Sequence, residues 1–554
     1  MRRLLLLLFL SVLAAAQPAK ISGRVVSQSG DAMRGAALML IGTETLTGIS
    51  GENGAFEIEK IPPGAFALVA RMEGFAPQKY GASTVLSDAC DMIADTPTQS
   101  QRLCISGAPG VTLSVTAGQE LKDLTINLTP LGSIHGHVSN QDGEPVAHWQ
   151  VEALKLVYEH GVRRLQGSEF GPATDADGNF SLTGLAPGRY YLFCVDNRSR
   201  RNAGLLPGRQ GKAPAEVDVP TYFPNQTEAS RAVALDVQAG TDLRDRNIVL
   251  RRERVYSIRG KVTVPAQSEA NNQILSIVEK GGSSEYQVDP ASAVHADGSF
   301  EFRGIPAGTY VIYGGQAFGN AGIGPPMFVR QEITVAADIE GLSLALVAES
   351  ELAGTIVVEG GKAVAFPMVW IRESEGRLRL APANPDSKGA FHFPRRVAPS
   401  RWNVELLSLP TGVYVKSMRY GRQDVLHAPL DLTGGAAGSL DIVLSPKVAK
   451  VEGSVKDLQG APAKGVVVSL WTGDMVRTVS SDQNGHFELL DLGPGNYLAA
   501  AWEQIAPDLV QAPEFLARFA KDAVTVRLEE GGHSTTDLQI VARARVAAEI
   551  AKLQ

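Results

Sequence analysis

The chain has 554 residues, a formal net charge of −7, 44% hydrophobic residues and 20% charged residues. This length exceeds what one hydrophobic core supports, and the composition excludes a disordered chain. The acidic balance disfavours a polyanion partner, because nucleic-acid-binding proteins concentrate basic residues on one surface. We therefore predict several folded domains and no nucleic-acid partner.

The first residues predict export. Arg2 and Arg3 precede the apolar run 4–13, and three alanines then precede Gln17. A charged segment, about ten apolar residues and a small-residue site together form the pattern of a cleavable signal peptide, here residues 1–16. The apolar run is too short to span a bilayer, and no later run is longer. We expect a periplasmic or extracellular protein with no membrane span.

Three phrases recur after this segment and divide the chain into five units. Each unit opens with a strand that contains an anchor glycine, continues through a tight turn and hairpin, and closes with an alternating strand. The hairpin reads ADGNFSLTGLAPGRYYLFC at 176–194, and one closing strand reads LTINL at 124–128. The anchor glycines lie roughly one hundred residues apart, which is domain-sized; they are Gly23, Gly136, Gly260, Gly354 and Gly453. The predicted domains are 17–130, 131–252, 253–349, 350–446 and 447–554, the last with a short C-terminal tail, and are called units 1 to 5 below.

The alternation within these phrases predicts strands. Phe180 and Leu182 share one face after the turn, and Tyr190 and Leu192 return to the same face from the next strand. Gly178 suits a tight hairpin turn because glycine tolerates positive φ. Many short strands divided by turn signals predict an all-β sandwich or barrel in each unit.

The opening, hairpin and closing phrases together resemble carboxypeptidase regulatory-like domains, which are similar to transthyretin and to carbohydrate-binding-like sandwiches. In unit 4 the segment 397–402, VAPSRW, replaces the usual proline, glycine and tyrosine pattern, so this unit is a degenerate copy. The resemblance implies a tandem array of five Ig-like or transthyretin-like β-sandwiches. It implies no activity, because such domains accompany peptidases, outer-membrane receptors, glycan enzymes and adhesins alike.

The residues that carry chemistry predict no catalytic centre. None of the nine histidines begins an H-x-x-E or H-E-x-x-H pattern of a zinc enzyme. His135 and His137 share one strand face without an evident third ligand. Asp175 and Asp177 resemble the start of a calcium loop that lacks its later glutamate, and turn chemistry explains them. We predict no catalytic, cofactor-binding or metal-binding residue, and no enzyme.

Cysteines and tryptophans supply the remaining candidates. We predict a disulfide between Cys90 and Cys104, in keeping with an oxidising compartment, and an inward-facing free thiol at Cys194. Counting from the anchor glycines places Trp149 inward and Trp370 and Trp471 outward. Trp402 takes the tyrosine position and is expected inward, whereas Trp502 is out of phase with Tyr497 and is expected to be exposed. Each outward tryptophan is expected either to stack on a sugar ring or to cover a domain interface.

The function predicted from these observations is an exported, non-catalytic binding, adhesion or scaffold protein. Its expected partner is a glycan or another exported or cell-surface protein, with the glycan class implied by the family resemblance alone. One alternative is an accessory module for a peptidase or other exported enzyme on a separate chain. Another is a structural spacer that sets a distance.

Overall fold

The computed structural model describes residues 18–42, 44–82, 85–86, 105, 108–159, 162–167, 171–196, 216–263, 274–280, 291–314, 327–361, 363–374, 378–473, 475–505, 509–550 and 552. Regular structure in these residues is β-strand apart from two short α-helices and a few 3₁₀ turns. The predicted all-β class is therefore confirmed. The proposed signal peptide and the Cys90–Cys104 disulfide lie outside the described residues.

Units 1 and 2 each build two sheets. Unit 1 contains β1 (Ala19–Ser27), β2 (Ala37–Ile41), β3 (Thr45–Ile49), β4 (Ala55–Ile61), β5 (Gly64–Arg71), β6 (Phe75–Ala76), β7 (Gln78–Lys79), β8 (Thr112–Val115) and β9 (Glu120–Pro130). Unit 2 contains β10 (Gly132–Ser139), β11 (Trp149–Glu159), β12 (Val162–Gly167), β13 (Asn179–Leu185), β14 (Gly188–Asp196), β15 (Glu216–Val219), β16 (Thr221–Tyr222), β17 (Leu235–Val237), β18 (Asp242–Leu243) and β19 (Ile248–Val249). In unit 1 the order is β4-β1-β9-β6 in one sheet and β3-β2-β5-β7 in the other, with β8 also on β5.

Units 3 and 4 repeat this plan. Unit 3 contains β20 (Arg251–Thr263), β21 (Ile274–Glu279), β22 (Ala291–Ala293), β23 (Ser299–Pro306), β24 (Gly308–Gly314), β25 (Met327–Val335), β26 (Ile339–Ala345) and β27 (Val347–Ala348). Unit 4 contains β28 (Ala353–Val358), β29 (Met368–Glu373), β30 (Ala390–His392), β31 (Arg401–Leu407), β32 (Tyr414–Tyr420), β33 (Gln423–Asp424), β34 (Leu430–Asp431) and β35 (Ser439–Ser445).

Unit 5 adds two helices to the same plan. It contains β36 (Ala449–Lys456), β37 (Val467–Thr472), β38 (Met475–Ser480), β39 (His486–Leu492), β40 (Gly495–Trp502), α1 (Pro513–Ala517), β41 (Val524–Leu528), β42 (His533–Thr535), β43 (Leu538–Val541) and α2 (Arg543–Ile550). Strand β43 pairs with both β36 and β40. The two sheets of unit 5 are therefore joined along one edge.

The anchor glycines are explained by how the opening strand pairs. In every unit it runs parallel to a closing strand and antiparallel to the strand after the tight turn. A Cβ on Gly354 would lie 2.1 Å from the carbonyl oxygen of Leu440 and 2.5 Å from the Phe391 ring. The other four anchors face the same two obstacles, a closing-strand carbonyl and a phenylalanine. Only glycine leaves room for this approach.

The inward faces agree with the alternation read from the sequence. Phe180, Leu182, Tyr190 and Leu192 are all buried in one core. The buried tyrosine hydroxyl donates to the carbonyl four residues earlier, as from Tyr190 to Ala186 at 2.7 Å, and the same bond recurs in units 3 and 5. In the degenerate unit 4, a tryptophan makes the equivalent hydrogen bond.

Trp402 takes the tyrosine position in unit 4. It is fully buried, and its indole Nε1 donates to the Ala398 carbonyl, again four residues earlier, at 3.1 Å. The inward prediction for Trp402 is confirmed, and Trp149 also packs against its unit's core. The changed motif therefore preserves the function of the usual one, which is to satisfy a buried polar group beside a turn.

Two pairs of neighbouring units are joined directly: units 2 and 3 share a sheet, and units 3 and 4 share a core. Strand β20 runs through position 252, and its first residues pair with β15 of unit 2 while later residues pair with β23 of unit 3. Unit 3 also shares an apolar core with unit 4, through Val311, Tyr313 and Phe328. The predicted boundaries near 130, 349 and 446 stay predictions.

Candidate binding surfaces

The two outward tryptophans of unit 5 are buried beneath a third layer, which consists of the segment around α1 and of helix α2. Trp471 is 5% exposed and Trp502 is 1% exposed. The Trp502 ring centroid lies 5.8 Å from that of Phe515 and 4.9 Å from that of Phe519, both contributed by the segment around α1. Its indole Nε1 donates to the hydroxyl of Ser469 at 2.8 Å. The predicted exposure of both tryptophans is wrong.

The reason for this error lies in the third layer and not in the strand alternation. Both tryptophans do point away from the sandwich core of unit 5, as their positions relative to Gly453 and Tyr497 predict. Residues 509–523, which contain α1, and the C-terminal helix α2 pack on that outer face. The signal for this layer was present, since Phe515, Leu516 and Phe519 recur at helical spacing. They cover the outer face within unit 5 itself, so Trp502 is buried by residues of its own unit.

Trp370 is the one outward tryptophan that stays partly exposed. Its indole Nε1 donates to the carbonyl of Leu380 at 2.6 Å, and the guanidinium of Arg379 lies 5.6 Å from its ring centroid. Both contacts come from unit 4. Of the three predicted stacking residues, this is the only one that a ligand can still reach.

The polar candidates have structural partners. His135 Nε2 lies 3.1 Å from Asp242 Oδ1, and the Asp175 carboxylate accepts the backbone N–H groups of Asp177 and Asn179. These bonds, that to Asn179 foremost, lower the pKa of Asp175. Within the part of the chain that the structure describes, no three His, Cys, Asp or Glu side chains are grouped as metal ligands.

Cys194 is buried in the core of unit 2 as a free thiol, as predicted. Burial raises its pKa far above the usual value, so the nucleophilic thiolate is scarce. We expect a thiol reagent to leave the native exported protein unlabelled and to label one cysteine after denaturation, counted by intact mass. Two labels in the native state, or none after unfolding, would contradict both this burial and the Cys90–Cys104 pairing.

Unit 5 contacts unit 1 across more than 350 residues of sequence. Ser480 donates its hydroxyl to the Ala108 carbonyl at 3.0 Å, and the amide of Gly110 donates to the carbonyl of Gly465 at 3.3 Å. The same Ala108 carbonyl accepts Lys79 Nζ at 2.8 Å. Lys79 is fully buried, and desolvation lowers its pKa to about 7.

Unit 5 also contacts units 2 and 4. The 3₁₀ turn Leu509–Gln511 lies against strand β11 of unit 2. At the unit 4 seam, Glu530 accepts hydrogen bonds from Lys416 at 3.1 Å and Tyr414 at 3.0 Å, and from Lys447 at 3.2 Å. These bonds, that from Lys416 foremost, lower the pKa of Glu530 to about 2.

This shift predicts that acid weakens the seam. The Glu530 pKa is lower in the folded chain than its usual value of 4.5, so its stabilising effect is complete above pH 4.5 and is lost as the pH falls towards about 2. We expect the thermal midpoint of the native protein to fall more steeply over this range than that of Glu530→Gln, measured by calorimetry. Glu529→Gln, one residue away, should retain the steep fall; equal slopes for all three proteins would contradict the prediction.

The junction of units 3 and 4 contains a buried carboxyl group. Glu373 is 2% exposed, accepts the hydroxyl of Ser400 at 2.7 Å, and lies 3.4 Å from Arg330 Nε of unit 3. Desolvation raises its pKa. The carboxylate therefore links unit 4 to unit 3 through Arg330.

Comparison with known proteins agrees with the geometry of unit 1, where β1 lies between β4 and β9 with Gly23 opposite Phe56. Residues 20–129 match the family model of the carboxypeptidase regulatory-like domain. The predicted resemblance is thus confirmed for unit 1, and the same strand pairing recurs in units 2 to 5. No curated protein matches the chain.

Three solved structures are similar to parts of this chain. They are the Bacillus anthracis TIE protein (12% identity, 73% of this chain and 73% of that one, TM-score 0.15), the major pilin subunit BcpA of Bacillus cereus (10%, 74% and 99%, 0.15), and the minor pilin GBS52 of Streptococcus agalactiae (11%, 42% and 95%, 0.20). At these TM-scores the likenesses carry no argument about the arrangement or role of this chain. No helix in the described ranges is long and apolar enough to cross a membrane.

Proposed function

We propose that the chain is an exported, non-catalytic scaffold that presents binding surfaces on a compact array of β-sandwiches. The observation that carries this proposal is the packing of unit 5 against units 1, 2 and 4. A spacer that sets a distance is expected to touch only sequence neighbours. An array whose last unit packs on earlier ones is shorter than an extended array, and it presents a surface formed by several units together. Such a surface suits binding or adhesion.

The repeated residues support a role outside catalysis. The anchor glycines, the turn aspartates and the buried tyrosines each have a role in folding. A peptidase of the metal type needs a metal to activate water and a carboxylate to move a proton, converging on one site. His135 instead faces Asp242 on a neighbouring strand, and the Asp175 carboxylate accepts the backbone amides of its own turn.

The ligand class within this proposal is a glycan, supported by the family resemblance and by the partial exposure of Trp370. A glycan array probed with the lone purified protein tests it directly. Binding that is lost in Trp370→Ala but kept in Leu490→Ala, which removes another exposed apolar side chain, would place the site on unit 4. No glycan binding, together with co-purification of an exported peptidase, would favour the accessory-module alternative.

The absence of catalysis is itself a prediction. We expect metal analysis of the purified chain to show no stoichiometric zinc, and test peptides to keep their C-terminal residue on incubation, because the histidines are spread over the five units and the described residues group no three metal-ligating side chains. About one zinc per chain, with chelator-sensitive hydrolysis that disappears on replacing one histidine, would overturn the non-enzymatic proposal.

A further inference from the structure

The ring of Trp370 is held in place by its own unit. Its indole Nε1 donates to the carbonyl of Leu380 at 2.6 Å, so this donor is taken up within the chain. A backbone bridge between Val369 and Ala383 holds the segment that carries Leu380 beside β29. The ring therefore has a fixed orientation, and polar recognition of a ligand at this face depends on the neighbouring side chains.

The sheet face around this ring has apolar and charged neighbours. Met368 lies opposite Leu407 across β29 and β31, and both are partly buried. Since residues two apart on a strand share one face, these two side chains extend the apolar surface beside Trp370. Glu405 lies opposite Trp370 and accepts a hydrogen bond from Nη2 of the buried Arg372 at 3.4 Å. That carboxylate therefore already has a cationic partner within unit 4.

Arg379 covers the ring of Trp370. It is exposed, and its guanidinium carbon lies over the ring, 5.6 Å from the centroid. The quadrupole of the indole attracts a cation in this position, but the attraction is weak at an exposed site. A saccharide that stacks on the ring must displace the guanidinium. A neutral saccharide forms no ion pair with the displaced group, whereas a carboxylate on the saccharide accepts two parallel hydrogen bonds from it.

We propose that the Trp370 face binds an acidic saccharide, one that bears a uronate carboxylate, and that Arg379 sets this preference. The indole packs on the apolar face of the sugar ring, and the guanidinium moves from the indole to the carboxylate. The occupant is anionic because the group that it displaces is a cation tethered beside the ring, so an ion pair replaces the lost contact. The inference rests on the proposed glycan-binding function and extends it by naming the class of glycan.

The test compares each acidic saccharide with its own neutral form. The full chain is applied to an array of glucuronate, galacturonate and mannuronate oligosaccharides, each beside its carboxyl-reduced counterpart. The native protein is expected to bind at least one acid about fivefold more tightly than its neutral form, the upper range for a surface ion pair. Arg379→Gln should bind both forms equally, at least as tightly as the native protein binds the neutral form. Arg422→Gln, which changes an exposed arginine between β32 and β33 in the other sheet of unit 4, is the matched control and should keep the preference.

Each other outcome overturns the inference. Equal binding of the acid and neutral forms by the native protein removes the acidic preference but leaves the glycan-binding function standing. A preference that survives Arg379→Gln belongs to other residues, and acid binding that survives Trp370→Ala lies on another surface. Binding of neither form overturns the glycan-binding function as well. Thermal midpoints of all variants separate these results from general unfolding.

Discussion

Replacing Gly354 with alanine is expected to destabilise unit 4 by at least about 3 kcal/mol, the upper range for overpacking a core. The new methyl group would lie 2.1 Å from the Leu440 carbonyl oxygen and 2.5 Å from the Phe391 ring. Neither obstacle moves easily, because the carbonyl belongs to the parallel ladder of β28 with β35 and the ring lies in the core. Urea unfolding followed by hydrogen exchange of residues 353–358 measures the loss.

The matched control is Gly434→Ala in the same unit. Nothing lies within 4 Å of a Cβ at that position, and its backbone is not left-handed, so its effect should stay within about 0.5 kcal/mol. Because units 3 and 4 share a core, Gly354→Ala should also lower protection around Phe328 of unit 3. A stable Gly354→Ala protein would show that the close approach at the anchor glycine is not required.

Truncating Trp502 to alanine is expected to cost about 3–5 kcal/mol of stability in unit 5, the usual range for a buried large aromatic. The change leaves a cavity against Phe515 and Phe519 and leaves the buried Ser469 hydroxyl without its donor. The layer formed by α1 and α2 should detach first, because that ring is its main contact with β40. Thermal unfolding and exchange of residues 513–519 report both effects.

Leu490→Ala serves as the control for this truncation. Leu490 lies on β39 of the same unit and is 54% exposed, so its loss should be nearly neutral. The comparison also distinguishes a ligand-stacking role of Trp502 from a role in the buried contact between β40 and the layer of α1 and α2. A stable Trp502→Ala protein that has lost glycan binding would restore the ligand-stacking role, whereas an unstable one supports the buried role.

Local chemistry made most of the fold predictable. Period-two alternation placed Leu182 and Tyr190 inward, and the structure buries both. The turn motif around Asp175 needs only nearby backbone amides, which lie within four residues. Such features depend on neighbours in sequence, so they can be read without knowing where distant strands lie.

The candidate site was less predictable, because exposure depends on every layer that packs on a face. Strand alternation settles which side of β40 bears Trp502, but only the packing of residues 509–523 and of α2 decides that this side is covered. Trp370 lies on the corresponding face of unit 4 and remains partly exposed beside Arg379 and Leu380. The same residue type at similar positions thus has two different environments.

The sequence by itself determined the five-fold repetition of its motifs, the β-strands and their inward residues, since alternation and local turn chemistry dictate all of these. Only the tertiary structure decided that unit 5 packs against units 1, 2 and 4, that units 3 and 4 share one core, and that Ser114 of unit 1 bonds to Gln483 of unit 5. Those contacts join residues more than 350 positions apart in the case of Ser114. No local pattern encodes such contacts, because each depends on how whole domains pack after their own strands have formed.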